Sequence, residues 1–184
     1  MRKTLGLAVM VVLLASSVSF AADTASNEIS IDLVNPVLLN VAAIFGGHPV
    51  IPINVCYERV LDDRFVLSFN PFLTYWTGSH DQLEFDFWAE LNWHPWGGGL
   101  NGFFAGPFVG MKFEGGSDLT SSYAAGIGIA LGYQFLFGNG WGLSLEAGFA
   151  PLLAYRIPPA STLEVPNWAF DYAVRGGAFI GYRF

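Results

Sequence analysis

The sequence predicts an all-β fold, a closed antiparallel up-and-down transmembrane β-barrel of about eight strands. Three observations predict it: strict two-residue alternation in several segments, turn residues between them, and a high apolar content without a helix-length apolar stretch after the N-terminus. Hydrophobic residues make up 53% of the 184 residues and charged residues only 12%. The content of charged residues is less than half that of an ordinary globular domain. A closed barrel is the alternative to helices that satisfies backbone hydrogen bonds in hydrocarbon.

The chain begins with two basic residues, an apolar run over 5–15 and small residues up to Ala21. This three-part pattern is typical of a secretory signal peptide, with cleavage expected after Ala21 or, as the near alternative, Ala22. A retained anchor is disfavoured because the apolar run is short for a membrane span. The sequence therefore predicts two parts, a signal peptide over 1–21 and one barrel domain over 22–184.

Charge, cysteine content and glycine context each argue against one class of partner or cofactor. After the signal peptide, six basic residues remain against fifteen acidic ones. Nucleic-acid binding needs clustered Lys and Arg, so no nucleic-acid partner is expected. The single cysteine, Cys56, has no partners at metal-ligand spacing and is expected to be a small buried residue. The Gly-rich segments lack the sequence context of a phosphate site, and no cofactor is expected.

The clearest strand covers residues 82–96. One face carries Leu83, Phe85, Phe87, Ala89, Leu91, Trp93 and Pro95, and the other carries Gln82, Glu84, Asp86, Trp88, Glu90, Asn92 and His94. A helix cannot produce a period of two. Residues 122–134 repeat the pattern, with Tyr, Ile and Leu on one face and mostly Gly and Ala on the other.

Six further strands are predicted. Along the chain, every second connection is a short turn, and the connections between these turns are mostly longer. The strands are expected at 28–37, 51–60, 65–76, 102–113, 141–149 and 170–184. The short connections fall at 61–64, 97–101 and 137–140, where paired Asp or clustered Gly and Asn suit tight hairpins. An even strand number with short turns at one rim is typical of outer-membrane barrels.

Alternation alone does not decide which face points outward, and a soluble lipocalin-like barrel is the main competitor. An apolar interior would leave Gly126, Gly128, Ala130 and Gly132 on the outside, whereas soluble exteriors are rich in mixed charges. A narrow eight-stranded interior accommodates such small residues. Aromatic residues near both ends of the strands also suit two interfacial belts. We therefore expect the apolar face to point outward.

The last residues of the chain resemble a known C-terminal signal. Residues 178–184 alternate and end on Phe184, with Tyr182 and Ile180 at the preceding outward positions. This end looks like the C-terminal assembly signal of bacterial outer-membrane barrels, and the chain resembles the small eight-stranded OmpA/OmpX-type barrels, with the family unresolved. The resemblance implies a porin-like cell-envelope protein of the bacterial outer membrane, whose partners are outer-membrane lipids and the barrel assembly machinery.

The inward face carries the charged residues, and estimated strand pairings place each basic residue near a carboxylate. Lys112 is expected near Glu84 and Asp86, and Arg175 beside Glu146. At the closure of the barrel, Arg183 is expected near Asp32, with Glu58 one strand further. Buried charges are costly unless paired, so these residues predict an ion-pair network that fills the barrel. Excess carboxylates, including Glu90 and Glu114, leave a narrow cation-preferring path as the alternative.

These patterns favour a structural, envelope-maintaining or surface-interaction role. The alternative is a narrow channel or carrier for ions or small apolar solutes. A lipid-modifying enzyme is less favoured, because a nucleophile and a base would have to meet at the outer rim. His94 is expected by a short turn, whereas His48 and the neighbours Ser79 and His80 are expected in outer loops. No catalytic residues are therefore assigned.

The apolar segment 38–45 is unusual for a surface loop. It predicts either a first strand extended past a bulge at Asn35 and Pro36, or a hydrophobic cap that binds a small apolar ligand, as in OmpW-type barrels. The sequence does not choose between these alternatives and identifies no extracellular ligand.

Overall fold

The computed structural model describes residues 27–46, 50–77, 81–96, 101–116, 120–137, 140–159 and 162–184. The predicted signal peptide lies outside these residues. The described chain forms eight strands and one helix. In chain order they are β1 (Asn27–Asp32), α1 (Val34–Gly46), β2 (Val50–Val60), β3 (Phe65–Trp76), β4 (Gln82–Trp93), β5 (Gly102–Gly116), β6 (Ser121–Leu136), β7 (Trp141–Ile157) and β8 (Asn167–Arg183). No helix within these ranges has the length and apolar character needed to cross a membrane.

The strands form a closed barrel in sequence order, and β1 pairs with β8 to complete the ring. Every neighbouring pair is antiparallel, so the predicted all-β up-and-down barrel is confirmed. Both Asn27 and Phe184 lie at the end that holds the β2–β3, β4–β5 and β6–β7 connections, which we call the short-turn end. The opposite, helix end holds α1 and the remaining connections.

The first predicted strand, 28–37, is wrong beyond Asp32, because the chain continues there as α1. The Asp32 carboxylate accepts hydrogen bonds from the backbone N–H groups of Val34, at 2.9 Å, and Asn35, at 3.2 Å. It thus caps the first turn of the helix. Pro36 is tolerated in that turn, where its missing N–H is not required. The apolar segment is therefore a helix and not an extended strand with a bulge.

The orientation of the two strand faces matches the prediction. On β6, Ile127 and Ile129 are each 68% exposed, whereas the neighbouring inward residue Ala130 is completely buried. Charged and amide side chains such as Glu90 and Gln134 are buried inside the barrel. The outer surface of the strands is therefore apolar and the interior polar, the reverse of a soluble barrel.

Aromatic side chains cross the interior by packing over glycines of the neighbouring strand. A Cβ atom added at Gly128 would lie 2.5 Å from the Phe108 ring and 2.4 Å from the backbone oxygen of Phe149. A Cβ atom at Gly132 would lie 2.3 Å from the Phe104 ring. The nearly bare face of β6 thus provides the space that these rings occupy in a narrow barrel.

Replacing Gly128 by Ala should destabilise the barrel. The added methyl group would contact backbone that cannot rotate away, and overpacking of this kind costs about 1–3 kcal/mol. Gly176→Ala is the matched control, because its added Cβ would only meet the Glu146 backbone oxygen at 3.4 Å. Guanidinium unfolding followed by tryptophan fluorescence measures both variants, and equal stabilities would contradict this packing.

Candidate functional site

An ion-pair cluster spans the middle of the barrel. The guanidinium of Arg175 contacts the carboxylates of both Glu90 and Glu146. Glu90 also accepts a 3.0 Å hydrogen bond from the Asn70 amide, and the Arg175 guanidinium lies over the Phe108 ring at 5.6 Å. These groups belong to strands β3, β4, β5, β7 and β8, so the cluster joins opposite walls. We call it the central cluster.

A second buried cluster closes the short-turn end. The Gln134 side-chain amide donates to the carboxylates of Glu28 and Glu58, in both cases at 3.2 Å. The Ser68 hydroxyl donates to Glu58 at 3.2 Å. Arg183 lies opposite Glu28 in the β1–β8 register and interacts electrostatically with Glu28 and Glu58. Together with the central cluster, this end cluster occupies the interior from the short-turn end to the middle.

The predicted approach of Arg183 to Asp32 is wrong. Asp32 pairs in register with Phe179, four residues from Arg183. Its carboxylate caps α1 and accepts a 2.9 Å hydrogen bond from the Asn54 amide. The closing register joins the two ends of the chain, and no local pattern fixes it.

Lys112 and Arg175 each contact two carboxylates, one of which in each case is a partner that the sequence analysis did not assign to them. Lys112 Nζ lies 2.9 Å from Glu84 and 2.6 Å from Glu114, while Asp86 is its register partner on β4. Arg175 contacts the expected Glu146 and also Glu90, which the sequence assigned only to excess interior charge. Gln134, Asn70 and Asn54 were missed, because buried amides carry no distinctive sequence signal.

A cavity of about 430 Å³ lies between the central cluster and the helix end. Asn35 and Leu39 of α1 line one side, and Arg175 and Glu146 line another. The remaining lining includes Asn54, Asn70, Phe72, Thr74, Glu84, Asp86, Trp88, Lys112, Tyr172, Val174 and Phe179. The part of the interior that the two clusters leave open is therefore a polar cavity with an apolar margin.

The cavity borders an unpaired edge of β8. Because β1 stops at Asp32, residues 50–54 of β2 and 167–177 of β8 each pair with one strand only in the described sheet. The Asn35 amide donates to the backbone oxygen of Gly176 at 2.8 Å and so links α1 to this edge. Tyr172 and Val174 point outward and are 67% and 73% exposed. Both nevertheless belong to the lining of the cavity, which therefore borders this edge of β8.

The histidines give no catalytic arrangement that the structure describes. His94 follows β4 at the short-turn end, is buried, and packs against Phe104 with ring centroids 5.6 Å apart. Burial lowers the pKa of its imidazole. His48, Ser79 and His80 lie outside the described residues. Within the described ranges, no group of His, Cys, Asp and Glu could hold a metal ion.

Ile180 and Tyr182 of the suggested assembly signal lie on β8 beside the barrel closure, and Phe184 follows the strand directly. Tyr182 is 47% exposed, and its ring packs against Trp141 at 5.4 Å. Ile180 pairs with Ile31 in the β1–β8 register, and the backbone of Phe184 exchanges hydrogen bonds with Asn27. Tyr182 and Phe184 therefore present aromatic side chains on the outer surface.

Comparison with known proteins adds little to this description. No model of a protein family matches the sequence, and no curated protein matches it. One solved structure that it resembles is the outer membrane protein OprG from Pseudomonas aeruginosa, with a TM-score of 0.44 and 11% sequence identity. The match covers 87% of this chain and 93% of the OprG chain.

Replacing Arg175 by Met should strongly destabilise the protein. The change leaves the Glu90 and Glu146 carboxylates buried without their cation, and breaking a buried pair on one side costs about 3–5 kcal/mol. Arg156→Met is the control, because its 3.6 Å contact with Asp171 is exposed and such pairs contribute about 1 kcal/mol or less. Urea unfolding compares the two variants. Equal losses would contradict the role assigned to the central cluster.

Proposed function

We propose that this chain is an integral outer-membrane β-barrel protein with a structural or surface-interaction role, and that its barrel does not conduct ions. The observation that carries the proposal is the inversion of the two faces, with exposed apolar residues around the strands and ion pairs inside. Apolar surface of this extent is unsuited to water. In a bilayer the same surface contacts acyl chains. The closed ring of strand pairs satisfies the backbone hydrogen bonds of the wall, except along residues 50–54 of β2 and 167–177 of β8.

The dimensions of the outward apolar surface support a membrane location. On β6, Tyr123 and Tyr133 bracket Ala125, Ile127, Ile129 and Leu131, which all point outward. Ten residues of strand extend about 34 Å. A strand tilt of roughly 40° reduces this to about 26 Å along the membrane normal, close to the apolar band of about 25 Å in outer-membrane barrels.

The signal-peptide pattern and the aromatic C-terminus support export and insertion into the outer membrane. The partners implied are outer-membrane lipids and the barrel assembly machinery. Neither pattern specifies an extracellular ligand. The cavity of about 430 Å³ at the helix end favours a surface-interaction role over a purely structural one, because it provides space for a small molecule.

The two interior clusters favour a closed barrel over a channel. Barrels of eight strands have interiors just wide enough for side chains. Here Arg175 joins opposite walls, and Gln134 connects Glu28 and Glu58 nearer the short-turn end. A carrier or narrow channel for ions or small apolar solutes is the alternative. An enzyme acting on outer-membrane lipid would instead change the mass of lipid A on expression.

Replacing Ile129 by Arg should prevent stable insertion into lipid. Ile129 is outward-facing and lies in the middle of the apolar band, where Arg costs about 2–4 kcal/mol in a membrane barrel. The control is Leu163→Arg, at an exposed position in the β7–β8 connection. Folding yield and unfolding free energy in phosphatidylcholine vesicles test both variants. A folding yield and an unfolding free energy that Ile129→Arg leaves unchanged would contradict the lipid-facing assignment.

Electrical recording from planar bilayers separates the closed barrel from a channel. The wild-type protein is expected to insert without stable single-channel conductance, because the two clusters block its interior between the short-turn end and the middle. Arg175→Met and Lys112→Met should leave that behaviour unchanged in whatever protein folds. Steady, cation-selective conductance by the wild-type barrel would favour the channel and contradict the proposal.

A further inference from the structure

Four residues that line the cavity each have a buried oxygen atom that can accept a hydrogen bond and has no partner among the described residues. These atoms are Asn54 Oδ1, Asn70 Oδ1, Thr74 Oγ1 and Asp86 Oδ1. Asp86, Asn70 and Thr74 are only 9%, 3% and 1% exposed. Buried acceptors without partners are costly, and such a group in a native protein calls for an explanation. A ligand that donates hydrogen bonds would provide one.

The two asparagines are oriented as acceptors by their other contacts. The Asn70 amide nitrogen donates to Glu90, and the Asn54 amide nitrogen donates to Asp32. Since carboxylates only accept, neither amide can flip without losing that bond. Their carbonyl oxygens therefore remain available as acceptors for another group.

The charges around the cavity favour a cationic ligand over an anionic one. Lys112 is already held by Glu84 and Glu114, and Arg175 by Glu90 and Glu146. Each cation thus has two carboxylate partners, and Asp86 adds a further negative charge. An anion would have to displace one of these carboxylates, whereas an ammonium group would add a compensating positive charge beside Asp86.

Part of the cavity lining is apolar. Leu39 of α1 and Phe72 of β3 contribute hydrocarbon and aromatic surface to it. A ligand whose charged end reaches Asp86 would therefore place its other end among hydrocarbon and aromatic side chains.

We propose that the cavity between α1 and the central cluster binds a small amphiphilic amine, with its ammonium group at Asp86, Asn70 and Thr74 and its apolar part against Leu39 and Phe72. The inference deepens the surface-interaction role proposed above and rests on it. Four free acceptors and the excess of carboxylates select the ammonium group, and the apolar part of the lining selects a short hydrocarbon chain.

Isothermal titration calorimetry with three six-carbon probes tests this assignment. The probes are hexylamine, 1-hexanol and hexanoate at neutral pH, titrated into the full barrel in phosphatidylcholine nanodiscs, with empty nanodiscs as the reference. Hexylamine is expected to bind saturably at one site per barrel, and the alcohol and the carboxylate at least about tenfold more weakly. That ratio corresponds to loss of a charge-assisted hydrogen bond.

Asp86→Asn tests the site itself, because it removes the charge and preserves the shape of the side chain. It should weaken hexylamine binding by about tenfold or more. Asp171→Asn, a carboxylate outside this cavity, is the matched control and should stay close to the wild type. Thr74→Val provides a second test if Asp86→Asn does not fold, and should weaken binding several-fold.

Equal binding of hexanoate or hexanol would overturn the ammonium assignment. Absence of saturable hexylamine binding, or binding unchanged in both Asp86→Asn and Thr74→Val, would overturn the site. Each of these results, obtained on a membrane-inserted and non-conducting barrel, leaves the proposed membrane function intact. A barrel that fails to insert into lipid contradicts the membrane function instead, and the titration can then be repeated on the soluble protein.

Discussion

The architecture depends on the six residues of β1, which join β2 to β8 and close the ring. Without this strand, the sheet would have two long free edges, each a row of unpaired backbone groups. Asp32 ends the strand, caps α1 and binds the Asn54 amide of β2. The closure is therefore complete at the short-turn end. Towards the helix end, α1 takes the place that a longer β1 would occupy between β2 and β8.

The narrow interior explains the remaining features of the barrel. An eight-stranded ring has space for one layer of side chains from each wall, so the Phe104 and Phe108 rings pack over glycines of β6. Charged groups in such a space are destabilising unless paired. Lys112 and Arg175 each contact two carboxylates, so the interior carries more negative than positive charge. This excess favours a cation as the ligand of the cavity.

The sequence predicts what depends on local periodicity and misses what depends on closure. Alternation over 82–96 and 122–134 determines which residues face inward, so the strands and the apolar exterior follow from it. The helix was missed because a short apolar run such as 38–45 suits a strand or a helix equally well. Asp32 followed by Pro36 carried the signal of a capped helix. The prediction of Asp32 as the partner of Arg183 was wrong because the register between the first and last strands, which are distant in sequence, follows from no local pattern.

The candidate cavity could not be predicted from the sequence. Its acceptors come from β2, β3 and β4. The Asn54 and Asn70 oxygens are free acceptors only because Asp32 and Glu90 engage the amide nitrogens of these two residues. Its border on β8 exists only because β1 stops at Asp32 and leaves residues 167–177 of β8 paired with one strand. Both conditions arise from three-dimensional packing, which the alternation of side chains does not encode.

The central claim is that the apolar face of this barrel lies in an outer membrane. Membrane fractionation with gel electrophoresis of boiled and unboiled samples tests it most directly, since a lipid-embedded barrel stays folded in detergent and migrates differently until heated. Recovery in the outer-membrane fraction with a heat-dependent shift is the predicted result. Recovery as a soluble periplasmic protein without that shift would contradict the account.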